Sequence, residues 1–291
     1  MTTSAPAKIN LSLRITRKRE DGFHELETLA LPLPGLVDTL KITPSESYSL
    51  HCDTPGVPTD ESNLVSQALR LFEKETETAC NFRIDLTKNV PHGAGLGGGS
   101  ADAAHTFLAL NELTRSEVPL DTLADWASQL GSDIPLFLYQ SPCWCRGRGE
   151  LIEPVSLDWQ HDILLFKPAF SIPTPWAYSR WQDSQQIPKI PYGPQDVDGH
   201  TLVNDLERPV FEKHRFLAEL KLFLLEQPET VAAMMSGSGS TVFAVLEKNA
   251  DHEALSTRVL AELDPTLWHH FCPAQTSFKA AQGLSLPNAP S

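Results

Sequence analysis

Pro91-His-Gly-Ala-Gly-Leu-Gly-Gly-Gly-Ser100, continued by Ala101-Asp-Ala-Ala-His-Thr-Phe-Leu-Ala-Leu-Asn111, is the stretch on which the reading of this chain turns. Five glycines (Gly93, Gly95, Gly97, Gly98 and Gly99) fall within seven residues. Glycine reaches positive φ at little cost and lets a ligand approach the backbone closely. Ser100 reads as the N-cap of an alanine- and leucine-rich helix. A helix start offers unpaired N–H groups and a partial positive charge, so loop and helix together form a phosphate cradle. Gly93, Gly95 and Gly98 also satisfy G-x-G-x-x-G, the dinucleotide fingerprint. Against that reading, Pro91 separates the loop from the preceding apolar run, and no acid closes a second strand some 20 residues on. A Walker A loop would need a lysine at its end, and there is none. A flexible linker would not run straight into an apolar helix.

Upstream, Pro6 to Ile15 alternates: Ile9, Leu11, Leu13 and Ile15 on one side, Lys8, Asn10, Ser12 and Arg14 on the other. That is the period of a half-buried strand, and it points Lys8 and Asn10 toward solvent or a cleft. Asp21-Gly22 is a turn signal, after which Phe23-His24-Glu25 opens a strand-like run to Leu33. Asp38 to Ile42 and Tyr48 to Cys52 read as further strands. Asp60 to Asn63 precedes a helix over 64–75, and Phe82 to Leu86 is a strand leading to the glycine loop.

Downstream, Pro119 begins a helix through Leu130. Gly131-Ser-Asp-Ile-Pro135 follows as a turn, and then the apolar Leu136 to Tyr139. Arg146 to Glu150 is a turn and a candidate boundary, dividing the chain at 1–150 and 151–291. A strand over 161–166 opens the second half. Pro168 to Pro194 reads as an irregular crossing, and a long helix is expected over 209–226. Met234 to Thr241 forms a second glycine–serine turn before the strand Val242 to Leu246, and Ala250 to Leu263 is a closing helix. Strands and helices mixed in this order predict an α+β protein.

The 291 residues, 41% of them hydrophobic, suffice for two domains or one large one. With 23 Lys and Arg against 37 Asp and Glu, the net charge is −14, and no basic block offers itself to nucleic acid. No apolar run spans a membrane. The N-terminus lacks a signal-peptide pattern, so a cytoplasmic protein is expected. Cys52, Cys80, Cys143, Cys145 and Cys272 are odd in number and scattered. Cys143-Trp-Cys145 lacks the second pair that zinc would require, so buried reduced thiols are expected. Beyond the short tail Pro287 to Ser291 there is no low-complexity tract.

Three stretches, taken in order, resemble the motifs of the GHMP small-molecule kinases. They are Pro6-Ala-Lys-Ile-Asn-Leu11, Pro91 through Ala104, and Ser236-Gly-Ser-Gly-Ser-Thr241. Asp21 to His24, Gly131 to Pro135, Ser171 to Pro175 and Asn204 to Glu207 narrow the resemblance to one branch of that family. It spans residue 6 to about residue 246. It implies an S5-like N-terminal domain, a ferredoxin-like C-terminal domain and an active site between them. The activity it implies is ATP-dependent phosphorylation of the 2-hydroxyl of CDP-methylerythritol, a step in non-mevalonate isoprenoid precursor synthesis, with Mg2+ as cofactor. A monomer or homodimer is expected, with no nucleic-acid or membrane partner.

By the same resemblance the general base is Asp133 and the positioning lysine Lys8. Pro91, Gly93, Ala94, Gly95, Leu96, Gly97, Gly98, Gly99 and Ser100 hold ATP, with Asn63 and Lys88 near the adenine. His24 reads the cytosine between Phe23, where tyrosine is the commoner residue, and Tyr178. Asn10, Thr174, Ser238 and Gly239 contact the acceptor. Asp102 either orients magnesium or complements the helix dipole, and the dipole reading is preferred.

The residues suit this chemistry without the name. An alcohol needs a carboxylate within hydrogen-bond reach to take its proton. A neighbouring lysine keeps that carboxylate ionised and steadies the alkoxide. Bland readings stay beside these: Asp133 as a turn residue before proline, and Lys8 as a solvated side chain. The rival functions are another GHMP kinase (for homoserine, mevalonate or a sugar), a nucleotide-binding protein without catalysis and, third, a dinucleotide oxidoreductase.

Overall fold

A computed structural model describes residues 1–274, so the tail from Pro287 lies outside the described residues. The alternating segment is the middle of β1 (Thr2–Lys18), which pairs antiparallel with β2 (His24–Pro44). The two strands expected over 23–33 and 38–42 are therefore one. A register shift opposite Pro6 and Ala7 skips Pro34, Gly35 and Leu36, and this bulge absorbs a proline that a regular ladder would reject. Then come β3 (Ser49–Cys52), α1 (Leu64–Thr76), β4 (Phe82–Thr87), α2 (Gly98–Thr114), α3 (Leu120–Leu130), α4 (Ile134–Leu138), β5 (Cys143–Gly147) and β6 (Leu151–Pro154). The turn at 146–150 links β5 to β6 as a hairpin, so the chain leaves this sheet only after Pro154.

The second half holds β7 (Ile163–Lys167), α5 (Thr174–Arg180), β8 (Gln195–Val197), β9 (His200–Asn204), α6 (Glu207–Lys213), α7 (Arg215–Leu225), β10 (Thr230–Met235), β11 (Val242–Leu246), α8 (His252–Glu262) and β12 (Trp268–Cys272). Three expectations change here. The proline-rich crossing contains α5, because Pro173 and Pro175 occupy its N-cap and first turn, where a missing N–H costs nothing. The long helix breaks at His214 (φ −109°, ψ 70°) into α6 and α7. The closing helix is followed by β12.

One eight-stranded sheet runs β3-β4-β2-β1-β9-β8, with β5 beside β2 and β6 beside β5. The other runs β10-β11-β7-β12. Helices α1 to α4 cover the outer face of the first sheet, where Phe72 and Phe107 are fully buried. α5 to α8 cover the second. Between the sheets lies a third apolar cluster, in which Ile9, Leu11 and Leu31 meet Leu165, Phe243 and Val245. The order is thus helix, sheet, sheet, helix. Ile9 and Leu11 are fully buried there, each contributing about 1.5–3 kcal/mol. With a two-residue period, the same strand turns Lys8 and Asn10 to its opposite face. All five cysteines are unpaired, and all but Cys52 are buried.

His105 on α2 gives a pH test of the core. Its Nδ1 shares a hydrogen bond with Thr3 Oγ1 at 3.1 Å, while its Nε2 is buried without a partner. Burial lowers its pKa from 6.5 to about 4. Between those values the unfolded chain binds the proton and the folded chain does not, so stability rises with pH and is lost as pH falls. The unfolding free energy from denaturant titration should drop over this window by up to about 3 kcal/mol more in the wild type than in His105→Leu. Parallel pH profiles would show that His105 is charged in the fold.

Candidate active site

The glycine loop is held from three sides. Lys8 N donates to Leu96 O at 2.9 Å, Thr241 N to Ala94 O at 3.1 Å, and Ser236 Oγ to Gly95 O at 3.0 Å. Gly95, at φ +76°, has no room for a side chain, since a Cβ there would sit 2.2 Å from Ser236 O. The N-cap of α2 is Gly97 (φ 72°), which corrects the expectation of Ser100. Gly98 and Gly99 already follow the helical path, so Ser100 falls inside the first turn. No side chain caps this helix start, which leaves its N–H groups to an anion.

Lys8 is 4% exposed. Its ammonium donates to Asn10 Oδ1 at 2.6 Å and to Gly95 O at 3.1 Å, and lies 4.0 Å from Asp133 Oδ2. Burial lowers its pKa, and the Asp133 charge opposes that shift. Asn10 passes the chain on through its amide to Thr28 Oγ1 at 2.7 Å. The open alternative for this strand face is thus resolved as a cleft. Asp133 sits at the N-cap of α4 but makes no capping bond, and its side chain is 57% exposed.

The cleft has a volume of about 780 Å³ and runs from the glycine loop to an aromatic end. There His24 stacks on Tyr178 (centroids 5.4 Å apart, 29° between planes) and meets the edge of Trp181 at 5.8 Å. Burial, and secondarily the Lys18 charge, lower the pKa of His24. Burial followed by the Asp133 charge raises that of Tyr178. Phe23 is half exposed beneath the Arg148 guanidinium, 4.9 Å from its ring centre. Thr174 Oγ1 and Ser238 Oγ share a hydrogen bond of 2.8 Å, which joins α5 to the second glycine turn.

Lys8, Asn10, Phe23, His24, Asn63, Lys88, Asp133, Thr174, Tyr178, Ser238 and the loop from Pro91 to Ser100 except Leu96 all border this cleft. Leu96 is buried in the core between the sheets, and Gly239 faces Met235 and Ile172. Asn63 caps α1, accepting from Val65 N at 2.9 Å and donating to Pro58 O at 2.6 Å.

Lys88 and Asp102 have partners that the sequence reading did not assign. The Lys88 ammonium bonds Asp38 Oδ2 and, at 2.6 Å, Asp102 Oδ2. Asp38 Oδ1 in turn accepts from Asn89 N and Val90 N. Asp102 lies in the second turn of α2, where one of its carboxylate oxygens is paired with Lys88. Burial outweighs Lys88 and raises its pKa to about 7, and its Oδ1 has no partner. Arg148, Lys18 and Trp181 were also missed. Arg148 alone left a trace, as an arginine in a sharp turn of an acidic chain.

An uncapped helix start, a buried lysine and a carboxylate free of local bonds are the equipment of a phosphotransferase. The family model described as GHMP kinases N terminal domain matches residues 63–141, and the GHMP kinases C terminal model matches 198–264. A Methylacidiphilum infernorum protein named 4-diphosphocytidyl-2-C-methyl-D-erythritol kinase is 40% identical over 270 residues, covering 91% of this chain and 93% of the relative. A chloroplastic namesake from Mentha piperita is 40% identical over 84% of this chain and 64% of its own. Among solved structures, a 4-(cytidine 5'-diphospho)-2C-methyl-D-erythritol kinase superposes with a TM-score of 0.75 at 33% identity, covering 94% of this chain and all of that one. A homoserine kinase from Cytophaga hutchinsonii reaches 0.71 at 15% identity and shares the fold. The chain belongs to the GHMP kinases and, within them, to the 4-diphosphocytidyl-2-C-methyl-D-erythritol kinase family.

Proposed function

We propose that the chain transfers the terminal phosphoryl group of ATP to the 2-hydroxyl of 4-diphosphocytidyl-2-C-methyl-D-erythritol. The observation that carries this is the Lys8–Asp133 pair, 4.0 Å apart, set between an anion cradle and an aromatic end within one cleft. ATP lies with its phosphates at the start of α2, against the loop N–H groups. The cytosine lies at His24, Phe23 and Tyr178. Asp133 takes the hydroxyl proton as the oxygen attacks phosphorus. Lys8 balances the charge on the entering oxygen. Thr174, Ser238 and Asn10 position the acceptor.

Magnesium fits beside the phosphates: Asp102 keeps one buried carboxylate oxygen without a partner, and this ion takes one or two carboxylates along with substrate phosphates. Asp102 and the Ser100 hydroxyl would hold it, and it would offset phosphate charge.

The deciding experiment is a turnover panel with the CDP-linked acceptor, homoserine, mevalonate and galactose. Preference for any of the last three would overturn the reading. Tyr178→Ala should weaken acceptor binding about 5- to 150-fold, from the 1–3 kcal/mol of base–aromatic stacking, with ATP affinity nearly unchanged. Equal losses for both ligands would make Tyr178 a core residue.

A further inference from the structure

Asn204 and Glu207 lie outside the cleft, yet both grip its second wall. Asn204 is 4% exposed and ends β9. Its amide donates to Met235 O at 2.7 Å and to Gly237 O at 2.8 Å, while its Oδ1 accepts from Leu206 N at 2.9 Å. Glu207 opens α6; its Oε1 accepts from Met235 N at 2.9 Å. Its Oε2 pairs with Lys221 Nζ at 2.6 Å, and Lys221 also donates to Pro191 O at 2.7 Å. Both backbone groups of Met235 are thus held by side chains at the point where β10 leaves its sheet.

The backbone so held leads directly into the site. Ser236 and Thr241 bond the carbonyls of Gly95 and Ala94, as above. A Cβ on Gly237 would sit 3.4 Å from Lys8 Nζ and 3.3 Å from Asn10 Oδ1. The same segment is also tied to the strand bearing Lys8. Asn204 pairs with Leu13, Asp205 N donates to Leu13 O at 2.9 Å, and Ile15 N donates to Asp205 Oδ2 at 2.8 Å.

We propose that Asn204 and Glu207 are positioning residues that set the Met235–Ser240 turn against Gly95 and Lys8, and thereby align the nucleotide cradle with the acceptor. The proposal rests on the reading of the loop as the ATP cradle and of Lys8 as part of the transfer. In it, the backbone acceptor matters and the buried charge does not. Replacing a buried ion pair by apolar groups is often neutral, whereas stranding a buried donor is costly. A pair that served stability alone would move the melting temperature and leave ATP Kd unchanged.

Glu207→Gln/Lys221→Met keeps an oxygen for Met235 N and removes both charges. Glu207→Leu/Lys221→Met removes the oxygen as well. Measured by calorimetry, ATP Kd should stay within about threefold of wild type in the first and rise about tenfold or more in the second, the scale of one lost buried hydrogen bond. Turnover should fall in parallel in the second alone. Equal ATP Kd in both double variants, whatever their melting temperatures, would overturn the proposal. Should the leucine variant fail to fold, Asn204→Ser decides: a folded protein with wild-type ATP Kd and kcat also overturns it. Wild type that binds ATP but leaves the CDP-linked acceptor unphosphorylated would instead refute the proposed function, with the calorimetric comparison still readable.

Discussion

Asp133→Asn is expected to lower turnover about 10²–10⁴-fold, the usual share of general-base assistance, while both substrates still bind. The substitution keeps the shape of a side chain whose carboxylate forms no capping bond on α4, so the helix start has nothing to lose. It removes the proton acceptor and the negative partner of Lys8, 4.0 Å away. Lys8→Met should lower turnover as well. The double variant should be far less than multiplicatively worse, because the two act as one unit. Steady-state kinetics of the four proteins, with binding checked by calorimetry, make the comparison. Retention of more than about a tenth of wild-type turnover by Asp133→Asn would remove the base from the mechanism, leaving positioning by the loop to carry the reaction.

Gly95→Ala should raise ATP Kd about 100-fold. Two costs combine. Alanine at φ +76° is strained by about 1–3 kcal/mol, and its methyl would press on Ser236 O from 2.2 Å. The contact atom is backbone, so no rotamer relieves it. The loop must then part from the Ser236 turn and give up the bonds made by Ser236 and Thr241. Strain of about 1 kcal/mol accounts for about fivefold of this at 1.4 kcal/mol per decade, and the displaced loop for the rest. Gly22, with positive φ but open space around it, is the control: Gly22→Ala should leave ATP Kd near wild type. An unchanged Kd in Gly95→Ala would place the phosphates elsewhere.

What was legible in the sequence follows from the range of the forces involved. The Ile9–Ile15 alternation and the helix after Asn63 are local patterns, and the structure repeats both. The glycine loop was legible because positive φ needs glycine whatever packs on it. Ser100 misled because serine is a good cap in isolation, whereas here two glycines already turn helically before it. β9 and β12 run for five residues each and owe their places in the sheets to the distant strands β1 and β7. No short window of sequence encodes such a partner. The Asp38–Lys88–Asp102 cluster joins residues up to 64 positions apart. Nothing local in Lys88 distinguishes it from a surface lysine. His214 breaks a helix that amphipathic spacing would have carried through.

The apolar layer between the two sheets bears on how the enzyme guards its nucleotide. Ile9, Leu11 and Leu31 from one sheet and Leu165, Phe243 and Val245 from the other belong to a single cluster, so opening the molecule like a pair of jaws would tear that cluster apart. The groove therefore keeps its shape while that layer stays packed, and Asp133, the proposed base, has a side chain that is 57% exposed. Enzymes with closing lids keep water out by motion; under the proposed assignment, the acceptor itself fills this groove and acts as the stopper. Protection against idle hydrolysis then comes from alignment: a stray water near Asp133 has no aromatic anchor to hold it in line with the phosphorus.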